Sequence, residues 1–260
     1  MFIGNLSDLT VTLLFSYSLI FCRISGALML MPAFSDGVVP AKIRLTFALF
    51  LSVVVTPTLS QEIPPLPPHL AETLVLLGHE LFVGIFIATC ARVLFLSLEI
   101  MGTIFSQQTG LGNATLFNPF LNIQSSAMGQ YLTLLGTVFI MITDLHHLMM
   151  AGLVKSYEVF PITPSLFDSG HVLTTLVDMI TRSFSVALRM SAPIFILVTV
   201  FYVALGALNR LMPQMMIFFV AQPAQLLLGF FILALTIHIG LNLCLDQFRQ
   251  YWQDLGGLST

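Results

Sequence analysis

Residues 172–208 read VLTTLVDMITRSFSVALRMSAPIFILVTVFYVALGAL. The only charges in this run are Asp178, Arg182 and Arg189, and Arg182, Ser185 and Arg189 follow Asp178 by four, seven and eleven residues. At about 100° per residue of α-helix, those offsets fall on one narrow face. Turning such a face to lipid costs about 2.5–3.5 kcal/mol per charge at the bilayer centre on insertion scales. The run therefore predicts a membrane helix whose polar line meets protein, water or another chain.

Composition extends this reading to the whole chain. The 260 residues are 57% hydrophobic and 8% charged, with a mean hydropathy of +0.97. Soluble domains carry about 25% charged residues, so this chain has too few charges to cover a soluble surface. An integral membrane protein is expected. The net charge of −3 excludes nucleic-acid binding, which needs clustered Lys and Arg. Cys22, Cys90 and Cys244 are scattered through apolar stretches, with no CxxC spacing. An odd count argues against a disulfide framework and for buried hydrophobes. No basic residue precedes the apolar stretch Leu9–Met31, so no cleavable secretory signal is expected.

The expected fold is all-α, a polytopic membrane protein with about six apolar helical regions: Leu9–Met31, Ile43–Leu59, Leu70–Leu98, Ser126–Met150, Val172–Leu208 and Met215–Leu245. A span needs about 20 apolar residues, so the second region is short and the fifth is long. Pro193 and Pro223 lie inside the last two regions, where proline removes a backbone hydrogen bond and kinks or breaks a helix. Pro64-Pro65-Leu66-Pro67-Pro68 forms an extended linker, and Phe160-Pro161 ends a helical region. Lys and Arg in the connectors do not settle orientation by the positive-inside rule.

Gly102 to Phe120 differs from its surroundings. It holds no charge, is rich in Gly, Gln, Asn and Thr, and carries Phe105, Leu111, Phe117 and Phe120 as bulky anchors. Gly110 and Gly112 permit backbone angles denied to other residues, and Asn118-Pro119 signals a turn. Two readings are open: a solvated connector, or a segment that fills a confined, partly wet space. The missing charges favour the second. Asn113-Ala114-Thr115 matches a glycosylation acceptor, a pattern common by chance.

Other candidate chemistry is sparse. Asp144 and His147 have i,i+3 spacing, but the sequence offers no convincing third ligand, so neither a metal nor a cofactor is expected. His79, Glu80 and Arg92 form a candidate proton or ion relay, because ionisable groups inside membranes often mark transport paths. Arg92 and Glu99 are seven apart and share a helix face. No nucleophile constellation or nucleotide motif is present, so an enzyme is not expected.

Ser191-Ala192-Pro193, Leu211-Met212-Pro213-Gln214-Met215-Met216-Ile217-Phe218-Phe219, Gln222-Pro223 and Gly229 form an ordered set. Arg23 with Gly26, Pro32 and Phe34, Pro40 with Arg44, Glu80 with Gly84, Gly102 and Gln108-Thr109-Gly110-Leu111 precede it in the same order. Together these residues resemble the FliR family of flagellar type III secretion export-gate proteins, over almost the whole chain. Asn118-Pro119 stands where that family usually has Asp-Pro.

The resemblance implies one export-gate domain, 1–260, in a helical assembly at the bacterial inner membrane and flagellar basal body. FliP-like and FliQ-like subunits, an FlhB-like protein, membrane lipid and exported unfolded flagellar proteins are the implied partners. The segment 102–122 is implied to be a pore plug, with Phe105, Gln108, Gly110, Leu111, Gly112, Phe117, Asn118 and Pro119 as its working residues. Arg92, Glu99, Asp178, Arg182 and Arg189 are expected in subunit or intrachain polar contacts. Pro213, Gln214, Phe218, Pro223 and Gly229 are expected to shape a broken helical hairpin. The alternatives are an ion-coupled secondary transporter, which often shows two related halves not found here, and the matching subunit of a virulence-type injectisome.

Overall fold

A computed structural model describes residues 2–35, 39–59, 63–113, 126–162, 169–211 and 217–255. Among them the chain is all-helical, with no strand. The helices are α1 (Phe2–Leu30), α2 (Ala41–Val55), α3 (Leu70–Thr109), α4 (Ala127–Ile142), α5 (Leu145–Val159), α6 (Ser169–Leu211) and α7 (Ile217–Leu255), with a 3₁₀ turn at Leu111–Asn113. The fourth expected region is thus two helices, whose axes differ by 78° across Thr143–Asp144. No proline causes this break; Asp144 adopts a left-handed conformation (φ 56°) there, which Asp tolerates better than most residues. Pro193 and Pro223, where kinks or breaks were expected, lie inside α6 and α7, which continue as helices past both.

Four helices are long and apolar enough to cross a membrane, or five spans if α4 and α5 count as one. At 1.5 Å per residue, α3, α6 and α7 run about 60 Å each, about twice a bilayer core. Hydroxyls within these apolar helices are satisfied locally: Thr89, Thr103, Thr133, Thr199 and Thr236 each donate to the carbonyl four residues back, at 2.7–2.9 Å. That spares the helices any other partner for these groups.

The chain forms two compact units. The first comprises Met1–Arg92, Ile140–Val177 and Arg249–Thr260, the second Val93–Phe139 and Asp178–Phe248. In the first unit, α1 and the N-terminal part of α3 approach at backbone distance. A Cβ on Gly84 would collide with the Arg23 carbonyl, and one on Gly26 would lie 2.9 Å from the Leu81 carbonyl. Small residues permit such contact between apolar helices.

That approach seats an ion pair. Arg23 and Glu80 both have 0% exposure. The guanidinium donates from Nε to Oε2 (2.7 Å) and from Nη2 to Oε1 (2.9 Å) of Glu80. It also donates to the Phe160 carbonyl (2.8 Å) and Ser156 Oγ (3.3 Å), and its Cζ lies 3.8 Å from the Tyr157 ring centroid. One cation therefore joins α1, α3 and the end of α5. Nearby, Phe86 meets Phe160 edge-on, Trp252 fills the space over Gly152, and the Tyr251 hydroxyl donates to the Ile87 carbonyl at 2.8 Å. Helix α2 packs on α1 with Arg44 donating to the Met29 carbonyl at 3.0 Å and Tyr17 to the Leu49 carbonyl at 3.3 Å.

Removing one partner of a buried ion pair leaves an uncompensated charge, at a cost of about 3–5 kcal/mol, whereas an apolar pair of similar volume is often tolerated. Glu80→Ala is expected to lower the unfolding free energy in detergent by about that amount, while Arg23→Met with Glu80→Leu recovers most of it. Denaturant titration followed by circular dichroism checks this; equal losses in the single and double variants would contradict the assignment.

Candidate functional site

The uncharged segment that stands out in the sequence begins in the second unit. Its first part, Gly102–Thr109, is not a loop: it is the end of α3. Regular 3.6-residue packing against apolar neighbours outweighs the weak helix preference of its Gly, Ser and Thr. Phe105 is 1% exposed and meets Phe230 edge-on, with ring centroids 5.5 Å apart. Thr109 is fully buried, donates to the Phe105 carbonyl at 2.8 Å, and sits where a Cβ on Gly229 would be. Glycine at 229 is therefore required by close approach. Gly110 then takes φ 78°, ends the helix, and hands the chain to the Leu111–Asn113 turn, the left-handed exit that glycine makes without strain.

Polar groups hold this root in place. Gln225 Nε2 donates to the Gln108 carbonyl, an acceptor at the frayed end of α3, and lies 3.1 Å from the Tyr202 hydroxyl. Ser126, just before α4, hydrogen-bonds Ser106 Oγ and donates to the Gly102 carbonyl at 3.3 Å. Gly102 and Gly129 bring α3 and α4 to backbone contact, and a Cβ on Gly129 would lie 3.0 Å from the Glu99 carbonyl. Both ends of the segment that leaves α3 and re-enters at α4 are thus pinned. Leu111 and Gly112 lie in the turn, half-buried. Phe117, Asn118 and Pro119 lie outside the described residues, as do Pro213 and Gln214; Phe218 is helical, with its side chain outside the described set.

The polar line on α6 is a second feature of this unit. Arg182 Nε donates to Asp178 Oδ2 at 2.9 Å within the helix, both side chains about half exposed. Thr181, Arg182, Ser185, Val186 and Arg189 line a cleft of about 350 Å³, closed on its other side by Leu243 and Gln247 of α7. Only 22% of the most apolar window of α6, and of α7, is buried within the chain, against 61% for α3. These two helices thus offer most of their apolar surface, and a cationic cleft, to their surroundings.

Other sequence candidates resolve differently. Arg92 donates to Ser35 Oγ at 2.7 Å, so it is committed to the turn after α1. Glu80 takes Arg23 as its cation, not Arg92, and His79 Nδ1 lies 3.6 Å from Glu80 Oε1. Of the candidate relay, His79 and Glu80 are adjacent, but Glu80 is paired with Arg23 and Arg92 is engaged with Ser35. Glu99 is half-buried, its backbone against Gly129. Pro223 is exposed near the start of α7. The three cysteines are free, and Cys244 Sγ sits 3.4 Å from Ser97 Oγ. Sequence reasoning missed the pairing of Arg23 with Glu80 and the Gln225–Tyr202 clamp, although Arg23 and Glu80 were each conspicuous as charges in apolar runs.

The family of bacterial export proteins, family 1, matches residues 14–251, which includes α3 to α6 entire and every described residue of the pinned root. The chain belongs to this family. Among curated relatives, the flagellar biosynthetic protein FliR of Caulobacter vibrioides is 35% identical over 233 residues, 90% of this chain and 92% of the relative. FliR of Bacillus subtilis is 26% identical over 86% of each chain, and FliR of Aquifex aeolicus 27% identical over 95% of this chain and 93% of the relative.

The glycine contacts make a direct test. Gly102→Val forces side chain into backbone and is expected to cost about 1–3 kcal/mol. At Gly206 a Cβ meets nothing within 4 Å, so Gly206→Ala is expected to be neutral or to stabilise by up to about 1 kcal/mol. Thermal unfolding in detergent separates the two; equal shifts would contradict the close α3–α4 approach.

Proposed function

We propose that this chain is a structural subunit of the flagellar type III protein export gate, in the inner membrane at the flagellar basal body, and not an enzyme. In this reading it joins FliP-like and FliQ-like subunits, with an FlhB-like protein alongside, around a conduit for unfolded flagellar proteins. Family membership and the FliR relatives support the flagellar apparatus over an injectisome. The poorly buried faces of α6 and α7, with Arg182 and Arg189 beside them, support partner subunits: apolar residues tolerate lipid, but guanidinium groups in the same face do not. Helices about twice the thickness of a bilayer's hydrocarbon core suit an assembly that extends beyond the membrane.

The observation that carries the gate assignment is the uncharged segment pinned at both roots. Gln225 and the buried Phe105–Phe230 pair hold its departure from α3, and Ser126 holds its return. Between them, Gly110 and Gly112 let the backbone turn, and the bulky residues Leu111 and Phe117 supply an ion-excluding surface. A segment with both roots fixed to the helices closes a pore without dismantling its wall. Chemistry of the transporter kind finds no support in the geometry, since Glu80 is locked to Arg23.

Deletion of Gly110–Phe117 is expected to leave complex assembly intact and to raise ion conductance of the complex reconstituted in planar bilayers. Unchanged conductance with normal assembly would overturn the plug assignment.

A further inference from the structure

The break before α5 gathers metal-ligating groups that the export reading does not use. Asp144, His146 and His147 each offer one ligand atom, and these atoms all lie within 4.8 Å of one another. In a continuous helix a residue two positions along points to the opposite side, which is why the sequence yields only Asp144 and His147 as partners. Asp144 is outside the helix, however, in its left-handed conformation and making no side-chain cap hydrogen bond. From there its Oδ1 lies 3.7 Å from His147 Nδ1, and the two imidazole rings are 4.1 Å apart at their centroids.

The donor set has the right chemistry. Two imidazoles and a carboxylate suit a borderline divalent ion, with bond lengths near 2.0–2.2 Å that put tetrahedral ligand atoms about 3.3–3.6 Å apart. Asp144 and His147 are about three-quarters exposed, so their side chains are free to close that distance by rotation about χ angles. His146 supplies an independent sign: its Nδ1 is buried and has no hydrogen-bond partner. A ring with one orphaned nitrogen is costly, a cost that an ion ligated by that nitrogen would offset.

We propose that Asp144, His146 and His147 form a binding site for a divalent first-row transition ion, with the fourth position open to water, and that the ion fixes the Thr143–Asp144 turn. The full-length chain, purified in detergent without a polyhistidine tag and stripped with chelator, is titrated with Zn²⁺ by calorimetry. One ion per chain is expected. Loss even of groups that merely orient a ligand costs 10–100-fold in affinity, so His146→Ala, His147→Ala and Asp144→Asn are each expected to weaken binding by at least about tenfold. His69→Ala, an exposed histidine outside the cluster, leaves it unchanged. Co²⁺ in place of Zn²⁺ gives the visible absorption of a four-coordinate site in the native chain and loses it in His147→Ala. Circular dichroism confirms that the variants keep their helices, and the near-isosteric Asp144→Asn guards against a folding defect. Absence of saturable uptake by the native chain, or uptake equal in all variants, overturns the site.

Discussion

A guanidinium with no access to water must find every one of its partners inside the protein. Arg23 does so by taking both oxygens of Glu80, the hydroxyl of Ser156, the carbonyl of Phe160 and the face of Tyr157. Those groups come from α1, α3 and the end of α5, so the first unit has one arrangement in which the charge is satisfied. Gly26 and Gly84 follow from it, because the helices carrying the pair must touch at backbone distance. The bulk of the apolar packing resembles membrane packing anywhere; the ion pair gives it a register, since a shift of one helical turn strands both charges.

The second unit is organised by close approach in place of charge. Gly102 with Gly129 and Gly229 with Thr109 let α3, α4 and α7 come together, and the polar atoms trapped between them are few and matched. The result is a rigid frame around the departure and return of an uncharged segment. In the proposed export gate this arrangement is useful: the frame fixes where the uncharged segment leaves α3 and where the chain enters α4. The cleft lies between α6 and α7, the two membrane-length helices that the chain itself covers least.

Much of this was legible from residues alone, for identifiable reasons. The all-helical, membrane-embedded character follows from apolar run lengths, and the shared face of Asp178, Arg182, Ser185 and Arg189 follows from spacing. Local geometry was legible where it depends on neighbours in sequence. It failed where contact crosses the chain: Arg23 and Glu80 are 57 residues apart, and Gln108 and Gln225 are 117 apart, so no periodicity links them. Composition also misled at Gly102–Thr109, whose Gly, Ser and Thr suggest a loop although tertiary contacts hold them helical. The break between α4 and α5 was hidden because it rests on an aspartate in a left-handed conformation, not on a proline.

What covers the polar line of α6 decides whether the chain docks on partner subunits. The most direct measurement places a photo-crosslinking amino acid at Ser185, in the cleft between Arg182 and Arg189, and irradiates cells producing the full-length chain. A discrete adduct with another membrane protein, lost when Arg189 is also replaced by Glu, is the predicted result. Irradiation that yields only lipid adducts, or none, while the chain accumulates normally, would contradict it.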